Sequence, residues 1–209
     1  MTITVANYKG GVGKSTIAMS YAVSRNLKLV TNDLSSQYDS VGITDYAKLP
    51  ENKKRIPPEL LHSDNIVYDL GAMNGKVDYK ILDAIKHSEA LIVPTLTDQR
   101  SLEATIQFIN DAKQYVDTII VVINRTSMAK KNLKDYEYAK ALISTVIPPT
   151  HIKLLKESTL YGRIAKDGFS ELTEVQNEHG VRALRKAVDY QYQLFNEIDE
   201  LIIAGNRIY

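Results

Sequence analysis

Residues Lys9-Gly10-Gly11-Val12-Gly13-Lys14-Ser15-Thr16 decide how the rest of this chain is read. A glycine-rich loop closed by Lys-Ser or Lys-Thr turns successive backbone N–H groups inward, around phosphate oxygens at the start of a helix. Gly10, Gly11 and Gly13 supply that freedom, with Val12 between them. Lys14 is spaced to reach the β- and γ-phosphates and Ser15 to ligate Mg²⁺ through its hydroxyl, while Thr16 falls near the α-phosphate. Tyr8 stands where the usual first glycine would be, so the motif reads K-G-G-x-G-K-[ST] and not the strict G-x-x-x-x-G-K-[ST]. The required context is legible on both sides. Thr2 to Ala6 is a short β-branched run, and Ile17, Ala18, Tyr21 and Ala22 recur at helical spacing.

Further along, strand-like and helix-like stretches alternate. Leu27–Asp33, Asn65–Asp69, Ala90–Pro94 and Thr118–Asn124 read as strands; Val77–His87, Ser101–Tyr115 and Asn132–Ser144 read as helices. Thr145-Val146-Ile147-Pro148 reads as a final short strand, and a long helix over about 179–204 carries Val181, Leu184, Val188, Phe195, Ile198 and Ile202 on one stripe. Residues 34–63, with Gly42, three prolines and Lys53-Lys54-Arg55, read as irregular with at most short helices. This alternation predicts an α/β fold, a doubly wound, mostly parallel sheet with helices on both faces, in a single domain over 1–209.

The loop with its early lysine resembles the deviant Walker A motif of the ParA/MinD group of P-loop ATPases. The resemblance implies ATP and Mg²⁺ as ligands and an ATP-dependent homodimer, in which Lys9 reaches the partner's nucleotide. Ile66-Val67-Tyr68-Asp69 resembles the Walker B strand, which makes Asp69 the second magnesium residue beside Ser15. Asp69-Leu70-Gly71-Ala72 also resembles the family's continuation, in which a backbone N–H near the glycine senses the γ-phosphate. Asp33 matches the second acid of the family's D-x-D motif and implies a group that positions the attacking water. The chain departs from that motif, reading Thr31-Asn32-Asp33-Leu34, and a capping role for Asp33 stays open. Asn124, followed by Arg125, resembles the adenine-reading Asn, and Ile147-Pro148 the loop that closes over the base; Pro148 reads equally as a strand terminator.

Lys+Arg 26 against Asp+Glu 25 leaves a net charge of +1, so any basic surface is local. Arg182, Arg185 and Lys186 share a helix face, with Arg163 and Lys166 one loop earlier; by resemblance these bind the DNA backbone without reading sequence, and the alternative is a solvated face. The absence of cysteine fits a reducing compartment and excludes iron–sulfur relatives of the same loop. The chain starts directly in a strand and has no run long enough for a bilayer, so the expected address is the cytoplasm, and the resemblance implies association with the nucleoid. Glu197, Asp199 and Glu200 dominate the last turns, against a membrane-anchoring helix. The 13 tyrosines are scattered, unlike the tyrosine-rich tail of a bacterial tyrosine kinase. The expectation is a small ParA-like partition ATPase that segregates plasmid or chromosome DNA through a ParB-like centromere-binding adaptor. The alternatives are a MinD-like or protein-cargo positioning ATPase, or a tyrosine kinase domain.

Overall fold

The first strand, β1 (Ile3–Val5), is buried throughout and lies at the middle of the sheet rather than at its edge. The computed structural model describes residues 1–33, 38–71, 78–126, 130–158 and 182–206. Following β1 come α1 (Lys14–Arg25), β2 (Lys28–Thr31), β3 (Tyr46–Lys48), α2 (Pro58–Leu61), β4 (Ile66–Asp69), α3 (Tyr79–Lys86) and β5 (Ala90–Thr95). The second half contains α4 (Gln99–Ala112), β6 (Ile119–Thr126), α5 (Lys130–Ile143), β7 (Ile152–Lys156) and α6 (Arg182–Asn206). Among the described residues these strands form one seven-stranded sheet, ordered β3-β2-β4-β1-β5-β6-β7. Every pairing is parallel, in register Ile3↔Val67 on one side of β1 and Ile3↔Ala90 on the other.

Parallel strands need both faces covered, and the alternation of side chains shows how that is done. Ile3, Val5, Ala90, Ile92, Ile120 and Val122 face α1 and α6, where they meet Ile17, Tyr21, Phe195, Ile198 and Ile202. Leu91, Val93, Ile119, Val121 and Ile123 face the other way, onto Ile81, Ile85, Leu102, Phe108, Ile109, Ala139 and Ile143 of α3, α4 and α5. The expected doubly wound α/β architecture is therefore present, and all strand carboxyl ends point to one edge. No helix among the described residues is long and apolar enough to cross a membrane.

Two strands differ from the sequence reading. β3 lies within the stretch expected to be irregular. It is an edge strand of three half-exposed or exposed residues pairing with β2, so it carries no apolar run to betray it. Thr145–Pro148 is not a strand: α5 ends at Ile143, Val146 and Ile147 donate back to Ile143, and a 3₁₀ turn over Pro149–His151 leads into β7. β7 itself, Ile-Lys-Leu-Leu-Lys, buries fully only Ile152 and Leu155, which is why its lysines masked it.

Candidate nucleotide site

The phosphate loop joins the carboxyl end of β1 to α1, where its backbone is stretched over a bed of side chains. Gly13 occupies the left-handed region at φ 94°, and a Cβ there would lie 2.1 Å from Asn124 Nδ2, so only glycine fits. Gly13 is also the N-cap of α1 and provides no side-chain cap; the first-turn N–H groups are left facing the loop, the arrangement that receives an anion. Lys14 is 7 % exposed and donates to the Lys9 carbonyl at 2.9 Å. Burial pulls its pKa below the usual lysine value, with Asp69 opposing. The loop's approach is fixed by residues the motif does not include. Asn7 donates to Pro94 O and Thr105 Oγ1, both at 2.8 Å, and accepts from Lys9 N at 3.1 Å. Tyr8, in the place of the usual glycine, packs edge-on against Phe108 and donates to Asp111 at 2.7 Å.

Two carboxylates stand beside the loop. Asp69, at the carboxyl end of β4, is 1 % exposed; its Oδ2 accepts from the Tyr38 hydroxyl at 2.6 Å, while its Oδ1 is buried with no hydrogen-bond partner. Burial raises the pKa of this carboxyl above the usual range; the hydroxyls of Tyr38 and Ser15 and the Lys14 ammonium pull it down, and Asp33 adds to the rise. A buried carboxylate oxygen without a donor, next to a serine hydroxyl, is what a divalent cation would satisfy, so the residues fit Mg²⁺. Asp33 is exposed just past β2, its N–H donating to Thr31 Oγ1 at 3.0 Å. Asn32, in the departure from the D-x-D pattern, accepts from Gly71 N at 2.7 Å and so ties the end of β2 to the residue two beyond Asp69. Sequence reasoning named Asp33 and Asp69 but missed Asn7, Asn32 and Tyr38. A polar residue in a position with no periodicity gives no signal of a partner distant in sequence.

At the base end the structure adds to one expectation and corrects another. Asn124 is 5 % exposed, and its Nδ2 donates to Val12 O at 3.0 Å while its Oδ1 accepts from Arg125 N at 2.7 Å. These two bonds tie Asn124 to the phosphate loop and use one N–H and one lone pair of an amide that has two of each. Arg125 is exposed, with a positive φ of 54°. Pro148 lies at the wrong end of the sheet to cover a base. It precedes the turn into β7, whose His151 ring meets Ile119 O at the start of β6 at 2.9 Å, about 17 Å along the strand from Asn124. Pro148 does not terminate a strand either, because Thr145–Pro148 is not one. Of the expected basic face, Arg185 and Lys186 are exposed on α6, the Arg182 backbone begins that helix, and Arg163 and Lys166 lie outside the described residues. Arg55, from the basic segment, pairs with Asp83 at 2.6 Å.

No protein-family model matches the chain, and no curated protein matches it in sequence. Solved structures do. The chain is similar to the Pyrococcus horikoshii septum site-determining protein MinD complexed with Mg-ADP, with TM-score 0.68 and 18% identity over 98% of this chain and 99% of that one. It is similar to the apo form of McdA from Cyanothece, with TM-score 0.59 and 16% identity over 96% and 98% of the two chains. A third similar structure is a plasmid partition protein of Borrelia burgdorferi bound to AMPPNP, with TM-score 0.56 and 16% identity over 97% and 98%. Seven parallel strands, helices on both faces and the phosphate loop after the central strand give this chain the fold of the ParA/MinD-type deviant Walker A ATPases.

Proposed function

We propose that this chain is a Mg²⁺-dependent ATPase of the partition type, whose ATP-bound dimer binds DNA without sequence preference and releases it after hydrolysis. The observation that carries the reading is the convergence, at the carboxyl edge of the sheet, of an uncapped helix N-terminus, a buried lysine and a buried carboxylate with an unpartnered oxygen. The neighbours solved with Mg-ADP and AMPPNP support the same ligands here.

In this mechanism the N–H groups from Gly10 to Thr16 cradle the phosphates, and Lys14 exchanges the Lys9 carbonyl for the β- and γ-phosphates. Ser15 and Asp69 would hold Mg²⁺, which when bound neutralises phosphate charge. Asp33, exposed beside Asp69, orients the attacking water. Lys9 neutralises phosphate charge in the partner subunit. Arg185 and Lys186, with Arg182, Arg163 and Lys166, supply the cations for DNA; dimerisation doubles them and raises avidity. DNA binding places the ATP-bound dimer on the nucleoid, and a ParB-like adaptor that binds the centromere stimulates the hydrolysis that releases it.

Duplex DNA binding measured with ATP, with ADP and with neither, over a salt series, tests this. Wild type is expected to bind only with ATP, with affinity falling about a thousandfold or more between 50 and 200 mM salt if six or more phosphates are neutralised. Lys9→Ala is expected to keep ATP and lose DNA. Absence of DNA binding in every nucleotide state, with ATP demonstrably bound, overturns the DNA reading.

A further inference from the structure

One oxygen of Asp69 is held by a residue that no motif includes. Tyr38 opens the 3₁₀ turn Tyr38–Val41, is 3 % exposed, and belongs to the core cluster shared by α1 and α6. Its backbone carbonyl accepts from Ile43 N at 3.1 Å, and its ring meets Tyr46 edge-on at 5.3 Å, so the phenol is set by packing on both sides. From there its hydroxyl reaches Asp69 Oδ2 at 2.6 Å. A carboxylate has two oxygens, and here their environments differ sharply: one receives a buried donor, the other receives none.

We propose that Tyr38 is a positioning residue for the cation carboxylate: by holding Oδ2 it fixes the rotation of the Asp69 side chain and leaves Oδ1 as the oxygen offered to Mg²⁺, directly or through a water of its shell. The inference rests on the nucleotide reading above. A neutral phenol suits this role better than a lysine or arginine. It satisfies Oδ2 without cancelling the negative charge that attracts the cation, and partners of this kind orient the groups that ligate metals in general. A tyrosine that merely satisfied a buried carboxylate would matter for stability alone. The unpartnered Oδ1 separates the two roles, because a carboxylate kept for structure would have both oxygens satisfied.

The test measures binding of a fluorescent ADP to wild type, Tyr38→Phe, Tyr46→Phe and Asp69→Asn, in excess EDTA and over a Mg²⁺ series, with Mn²⁺ paramagnetic resonance of the ADP complex as a direct metal readout. Tyr46→Phe is the control for the turn, since its hydroxyl bonds Asp39 at 2.7 Å and does not touch Asp69. All four are expected to bind alike in EDTA. Mg²⁺ should tighten ADP on wild type and Tyr46→Phe, with Tyr38→Phe needing about tenfold more Mg²⁺ or Mn²⁺ and Asp69→Asn losing the tightening. Tyr38→Phe with the metal dependence of wild type overturns the proposal while leaving the nucleotide reading intact. Wild type that binds no ADP, with or without metal, overturns both.

Discussion

At Gly13 two demands meet on one Cα. The backbone is left-handed, which costs an L side chain about 1–2 kcal/mol, and the space a methyl group would need is taken by the Asn124 amide. That amide is itself held by Val12 O, so it cannot swing aside without breaking a buried hydrogen bond. In urea denaturation Gly13→Ala is expected to cost about 2 kcal/mol or more, and Asn124→Ala about 1–2 kcal/mol. The double variant should cost less than the sum by at least about 0.5 kcal/mol, because the collision is gone; strict additivity would show that the amide moves freely. The glycines, Lys14 and Ser15 were legible in the sequence because phosphate geometry constrains adjacent residues. The bond from Asn124 to Val12 was not legible, since 112 residues separate the two.

At the scale of elements, the start of α4 shows how a helix terminus supports the loop. Asp98 caps it, accepting from Ser101 N at 3.1 Å and Ser101 Oγ at 2.6 Å. The Ser101 hydroxyl lowers the carboxyl's pKa most; burial opposes, and the Ser101 N–H and then the Lys9 ammonium contribute further lowering. A depressed folded pKa means that the stabilisation is complete above the unfolded carboxylate value of about 3.9 and is lost as pH falls through the lower folded value. Asp98→Ala is accordingly expected to lose about 1 kcal/mol at pH 7, with the gap from wild type closing below pH 4. Asp98→Asn keeps most of the cap and should remove that acid dependence, a comparison that thermal melts from pH 2.5 to 7 make directly. The elements themselves were legible where burial is two-sided, as in β5 and β6, whose apolar runs are continuous. They were not legible at the sheet edges, where β3 and β7 need cover on fewer sides and so spend residues on lysine and tyrosine.

Over the whole molecule, α6 is locked to α1 by a polar cluster within an apolar seam. The Tyr21 hydroxyl, on a fully buried ring, donates to Asp199; Arg25 pairs with Asp199 at 2.7 Å and donates to Asn196 at 2.7 Å, and Phe195 lies edge-on to Tyr21 at 5.1 Å. Burial and the Asp199 contact hold the Tyr21 phenol well above its usual pKa, so it remains a donor throughout the working range. Asp199→Ala leaves that donor buried without its acceptor and is expected to cost about 1–3 kcal/mol in urea unfolding. Adding Tyr21→Phe to it should restore part of the loss. A double variant weaker than Asp199→Ala by the full cost of Tyr21→Phe would mean that the two groups act independently.

The position of β1 at the centre of the sheet also sets a timetable. The phosphate loop is made before the neighbours of β1, which are β4 and β5 and arrive only with residues 66–69 and 90–95. Pairings so distant along the chain form late. Until they do, the nascent protein carries its signature motif without the walls that shape it, and the face bearing Ile3, Val5, Ile92 and Val122 stays open until α6 has been made. A polypeptide stalled before that helix would thus expose half of its core to its neighbours in a crowded cell.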